Sequence, residues 1–275
     1  MRIAERVGPG GEIDALCAQR VASTESPAGR ATALLDTALR SDDWTSFLRE
    51  AIARSPEPAI PALIFEWLAE GRQAPEALRE ALRAQAEHAS DPTLQGALWL
   101  DVALAEIEAG EIDAALHSLD LACASDAVTW VGRTVQRRTA REHARWEAMV
   151  SASVTMARLL ESDPPADPLS LSVPEEERLP LAAFLWLEAA TVSATKLDDE
   201  GAAAAHLSCA LRLLPEDHAL RLQALLLAER RGAGVTEAAS WFVDSAPDDP
   251  AFVAHEIRRA LGRDPQESSL GVLRE

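Results

Sequence analysis

The side chains in this chain that could do chemistry are few, and their spacing is wrong for most of it. His255-Glu256 opens like the zinc-binding HExxH pattern, but Arg259 stands where the second histidine belongs. One zinc ion needs two imidazoles a helical turn apart, so the pair makes no zinc site. Cys17, Cys123 and Cys209 form no CxxC and match no zinc module. Three such thiols read as small, mostly buried hydrophobes. No GxSxG and no GxxxxGKS/T occurs, and no GxGxxG opens a helix. The acid pairs Asp198-Asp199, Glu216-Asp217 and Asp248-Asp249 sit at helix starts, where capping and the helix dipole explain them better than catalysis does. The expectation is no enzyme, no metal and no cofactor.

One stretch runs against the overall charge. Residues 133–145 hold Arg133, Arg137, Arg138, Arg141 and Arg145 against Glu142 alone. Arg133, Arg137, Arg141 and Arg145 recur every fourth residue, which puts them along one side of a helix. Such a stripe is either solvated and balanced by acids on adjacent helices, or an anion-accepting patch for acidic or C-terminal groups of a peptide. Guanidinium forks suit the second role because they grip carboxylates bidentately.

Any of these groups must be positioned by helices. The chain has 275 residues, 48% of them apolar, and no Tyr. Ala and Leu dominate, and both lead the helix-propensity order, so the chain reads as all-α. Trp44 and Trp146 lie 102 residues apart and each opens an apolar helical run. That distance is three periods of thirty-four, a length typical of stacked helix–turn–helix units that cannot bury their apolar faces alone. Asp42-Asp43 supply cap chemistry for the helix at Trp44, and Pro75 suits a first helical turn. Leu63, Ile64, Trp67 and Leu68 form the apolar face of a helix stopped by Gly71, and Ala74 lies in the turn that follows. The four prolines of residues 162–178 mark an irregular loop or hinge.

The segment around Trp99, Val102, Ala103, Gly110, Ala115, Leu119 and Ala122 resembles the tetratricopeptide repeat (TPR). Ala203-x3-Leu207-x2-Ala210 repeats part of its spacing. Units in this frame begin at 28, 62, 96 and 130, then at 183 and 217. Glu106 replaces the family's usual aromatic, the unit at 62–95 turns early, and Ala127 stands where proline is common. The resemblance implies a solenoid of stacked antiparallel helix–turn–helix repeats, wound as a right-handed superhelix, whose first helices line a concave groove for peptides. By the same resemblance Leu100, Leu104 and Ile107 in one unit, and Thr134, Arg138 and Arg141 in the next, face that groove.

The resulting division is a lead-in with a short capping helix (1–27), repeats (28–163), a Pro-rich acidic loop or hinge (164–182), further repeats (183–250), and a capping helix with tail (251–275). Net charge is −19 with pI near 4.7. Nucleic acid and anionic membranes recruit Lys and Arg, so both are disfavoured as partners. MRIAERVGPGG lacks the apolar core of a signal peptide, and no apolar run is long enough to span a bilayer. The expected protein is a cytoplasmic interaction scaffold or adaptor. Its expected partner is a protein or peptide, with acidic or carboxylate groups if the arginines contribute. The alternative is a regulatory or sensor subunit whose repeats bind a small ligand or short peptide.

Overall fold

A computed structural model describes residues 16, 19–162, 173–217, 220–224 and 226. The unit expected from 217, the capping helix expected within 251–275, Cys17 and His255-Glu256 fall wholly or largely outside them. The described residues include ten bounded α-helices and one 3-10 turn, with further helical residues at 19–23 and 220–224 and no strand. In chain order they are α1 (Pro27–Ala38), α2 (Trp44–Arg54), α3 (Ala59–Gly71), α4 (Pro75–His88), α5 (Pro92–Glu108), α6 (Ile112–Ala122), α7 (Thr129–Glu142), α8 (Trp146–Glu161), α9 (Glu175–Lys196) and α10 (Glu200–Leu213). Trp44 and Trp146 each occupy the first position of a second helix, as the spacing of thirty-four requires. Consecutive helices pair as helix–turn–helix hairpins with short connections.

Two compact units divide at Gly132, inside α7. In the first, α1 packs with α2, α3 with α4 and α5 with α6, and α4 joins the second hairpin to the third. The polar contacts between α4 and α5 fix an antiparallel pairing. Gln95 Nε2 donates to the Ala86 carbonyl at one end, while Arg79 and Arg83 reach Glu111 and Glu106 at the other. Short connections and alternating direction are what an apolar stripe on each helix needs to find a partner.

The core of the first two hairpins holds Ala38, Trp44, Leu48, Phe65, Leu68, Ala69, Ala77 and Ala81. Trp44 meets Phe65 edge-on, with centroids 5.7 Å apart. Small residues set the helix spacing: Ala115, Leu119 and Ala122 are fully buried, as is the Val102-Ala103 pair opposite. Gly96 marks another close approach, because a Cβ there would lie 2.7 Å from Ser125 Cβ and 2.8 Å from Val128 Cγ2. Gly110 (φ 78°) makes the α5–α6 turn in the left-handed region where glycine carries no Cβ penalty.

In the second unit α9 packs against both α8 and α10. Lys196 lies over the Trp146 ring at 5.3 Å, and Trp186 Nε1 donates to Glu161 at 2.5 Å. The end of α9 therefore meets the start of α8, and the pair is antiparallel. Trp186 also stacks on His206 of α10 at 5.5 Å. Ala203 is fully buried near Ala190 and Leu207.

Two local expectations need correction. Asp43 holds the cap position of α2 but its side chain accepts nothing; the Ser41 hydroxyl instead accepts from the Asp43 N–H. The Asp43 backbone (φ −88°, ψ 39°) lies outside the extended conformation a capping side chain uses. The repeats expected to resume at 183 open with a helix that begins at Glu175, inside the segment assigned to the loop or hinge. Acids in the first turn favour that start, and Pro180 is carried inside the helix at the loss of one backbone donor. Ala74 lies in its turn but packs against the first-unit core.

Candidate functional site

In α3, apolar residues occupy every side of the helix: AIPALIFEWLAEG. Its inward face, Pro61, Ala62, Phe65, Leu68 and Ala69, is buried. Its outward face carries Ile60 (52% exposed), Leu63 (54%) and Trp67 (65%) at spacings of three and four. These three stack as one row on the helix surface. A tryptophan left this open is unusual, since a large aromatic gains most by burial.

The corresponding helix of the next hairpin, α5, adds Leu94 and Leu104, both exposed. Asp101 shares their row, and Glu108 ends it one turn beyond Leu104. The two helices are near neighbours electrically. Desolvation, and then the Glu66 carboxylate of α3, hold the Asp101 carboxyl above its ordinary range.

Leu100, Leu104 and Ile107 all lie on α5; Leu104 is open to solvent, while Leu100 and Ile107 are half-buried. The buried acid beside them is Glu106, 1% exposed. Its Oε1 accepts from Arg83 Nε (3.0 Å) and Nη2 (2.5 Å), and its Oε2 from the Ser118 hydroxyl (2.7 Å). The residue that departs from the repeat's aromatic is thus a satisfied ionic tie between α4, α5 and α6.

Thr134, Arg138 and Arg141 lie on α7, in the second unit, and all are exposed. Arg138 pairs with Glu142 one turn on, at 2.9 Å. That contact holds the Glu142 carboxyl below its ordinary range and raises the Arg138 guanidinium. Arg141 is bound to Glu188 of α9, which also accepts from Arg137 Nη1 (2.7 Å) and the Ser153 hydroxyl (3.0 Å). Two members of the arginine stripe are therefore balanced by an acid of a neighbouring helix.

The sequence groups Leu63 and Trp67 with Ile64 and Leu68 as one apolar face, whereas the structure turns Leu63 and Trp67 outward with Ile60 and keeps Leu68 buried and Ile64 half-buried. The signal available was that α3 has only Glu66 and Glu70 among otherwise apolar or proline positions, too few polar residues for a helix with one solvent face. Among the described residues no group of His, Cys, Asp and Glu is arranged to hold a metal ion. No helix there is long and apolar enough to cross a membrane.

No family model matches the chain, and no curated protein matches it. A solved structure with some likeness is a chain in the crystal structure of the APC/C hetero-tetramer Cut9–Hcn1. It is 12% identical, with a TM-score of 0.35, over 92% of this chain and 46% of that one. This chain thus spans less than half the length of that neighbour.

Proposed function

We propose that this protein is a helical-repeat interaction scaffold whose first unit holds an apolar segment of a partner protein across α3 and α5. The observation that carries the reading is the solvent-facing row Ile60, Leu63 and Trp67, continued on the neighbouring first helix by Leu94 and Leu104. Exposed apolar rows of this kind are costly to a free chain and mark docking faces. Trp67 supplies the anchor, because large aromatics dominate the energetics of such contacts. Of the residues drawn from the repeat resemblance, Leu104 belongs to this face directly. In the second unit, Arg141 is engaged with Glu188, and Thr134 and Arg138 stand as the outward positions of α7.

A random peptide library displayed on phage and selected against the intact chain tests this. The expected peptides carry apolar residues at helical or alternating spacing, and Leu63→Glu or Trp67→Glu abolishes their binding with the helical signal unchanged. Selected peptides that bind both variants as well as the parent would remove the α3 face from the function.

A further inference from the structure

Resting on that docking face, we propose that its occupant is a cationic amphipathic segment of a partner protein. Its apolar row lies on Ile60, Leu63, Trp67 and Leu104, and its lysines or arginines meet Glu70, Asp101 and Glu108.

Charge selects the occupant. Neither α3 nor α5 contains a Lys or Arg, while between them they carry Glu66, Glu70, Asp101, Glu106 and Glu108. Glu106 is neutralised by Arg83, and Glu66 accepts from the Gln85 amide at 2.7 Å. Among the described residues no ion pair reaches Glu70, Asp101 or Glu108. The cation nearest in sequence, Arg72, caps α3 but lies over the Trp44 ring at 4.9 Å and donates to the Ser41 carbonyl at 3.4 Å. The apolar face is therefore rimmed by negative charge that the first unit leaves unanswered.

The charge is also directional. Glu70 lies three residues past Trp67 and continues its row, and Glu108 ends the row of Asp101 and Leu104. Both acids stand at C-terminal ends of helices, where unpaired carbonyls add negative potential. Two chain reversals separate α3 from α5, so the two helices run the same way and their acidic ends lie together. An occupant then sets its apolar anchor toward Ile60 and Leu63 and its basic end toward Glu70 and Glu108. A second copy of this chain fits poorly, since at net charge −19 it would bring the same acids.

The test uses the full chain and two synthetic helical peptides with the same leucine row, one flanked by lysines and one by glutamates. Binding is read by fluorescence anisotropy at low and physiological salt. The lysine peptide is expected to bind about tenfold more tightly or better, the sum of a few exposed ion pairs, with the margin shrinking as salt rises. Asp101→Asn with Glu108→Gln should reduce the margin while circular dichroism stays unchanged. Equal affinity for the two peptides overturns the cationic occupant and leaves the docking face standing. Binding of neither peptide, or lysine-peptide binding that survives Leu63→Glu and Trp67→Glu, overturns the docking face itself. Dimerisation that Trp67→Glu abolishes would assign the face to a second copy and overturn the proposal.

Discussion

Arg83 of α4 grips the buried carboxylate of Glu106 with two donors on one oxygen, while Ser118 of α6 holds the other. The arginine is 41% open at its side chain and the glutamate 1%. Removing the arginine strands the acid, whereas replacing both partners by apolar side chains does not. Arg83→Met is therefore expected to destabilise the first unit by about 2–3 kcal/mol, discounted for the solvent around the guanidinium. Arg83→Met with Glu106→Met should recover most of that loss in urea unfolding. A double variant as unstable as the sum of its singles would show that the tie is not what orders these helices.

The two exposed arginines of α7 should behave differently. Arg141→Glu sets a like charge against Glu188, a carboxylate only 11% exposed, and is expected to lower the melting temperature of the second unit. Arg138→Glu turns a solvated pair with Glu142 into an exposed like-charge pair, which costs little in solvent, and should lower it far less. Thermal melts of the single variants distinguish the two.

Fully buried alanines mark the closest helix crossings. Ala115→Leu and Ala203→Leu are each expected to cost about 1–3 kcal/mol through forced repacking. Ala205→Leu, on the open face of α10, should cost nothing measurable.

Two titrations carry opposite signs. The Asp101 carboxyl is raised by desolvation and by Glu66, so its contribution to stability is present below the ordinary value of 3.8 and lost as pH rises through the folded value. Asp101→Asn should therefore raise the melting temperature at neutral pH and leave it unchanged in acid below that value. His206 is depressed by burial, then by Arg158, against a smaller opposite pull from Asp199. Its neutral form is favoured in the fold, so stability is present above 6.5 and lost as pH falls through the folded value. His206→Phe keeps a ring on Trp186 and should flatten that decline.

Much of the fold was legible in the sequence because small residues and turn glycines act locally. Gly96, Ala103, Gly110, Ala115 and Ala122 report where helices touch and where they turn, and the structure puts each at such a point. Trp44 and Trp146 marked helix starts because a repeat places equivalent residues at equivalent positions. The cap at Asp43 was misread because an Asp before an apolar run has the right chemistry, while its backbone angles depend on the turn before it. The start of α9 does not follow from the sequence, because the prolines of 162–178 read as one loop although Pro174 caps the helix and Pro180 is carried inside it. The candidate site was harder to see. The destination of an arginine or the outward turn of Trp67 depends on which helix lies opposite, and Glu188 is 51 residues from Arg137. Nothing local in residues 133–145 indicates that Arg137 and Arg141 are already engaged.

In the docking reading, Ile60, Leu63 and Trp67 are covered by a partner protein. Incorporating a photo-crosslinking amino acid in place of Trp67, and separately in place of Arg138, measures this directly. A discrete adduct with one protein is expected from position 67, lost when Leu63→Glu is added, with a weaker or absent adduct from position 138. Adducts from position 138 alone, or adducts from position 67 that persist with Leu63→Glu, would contradict it.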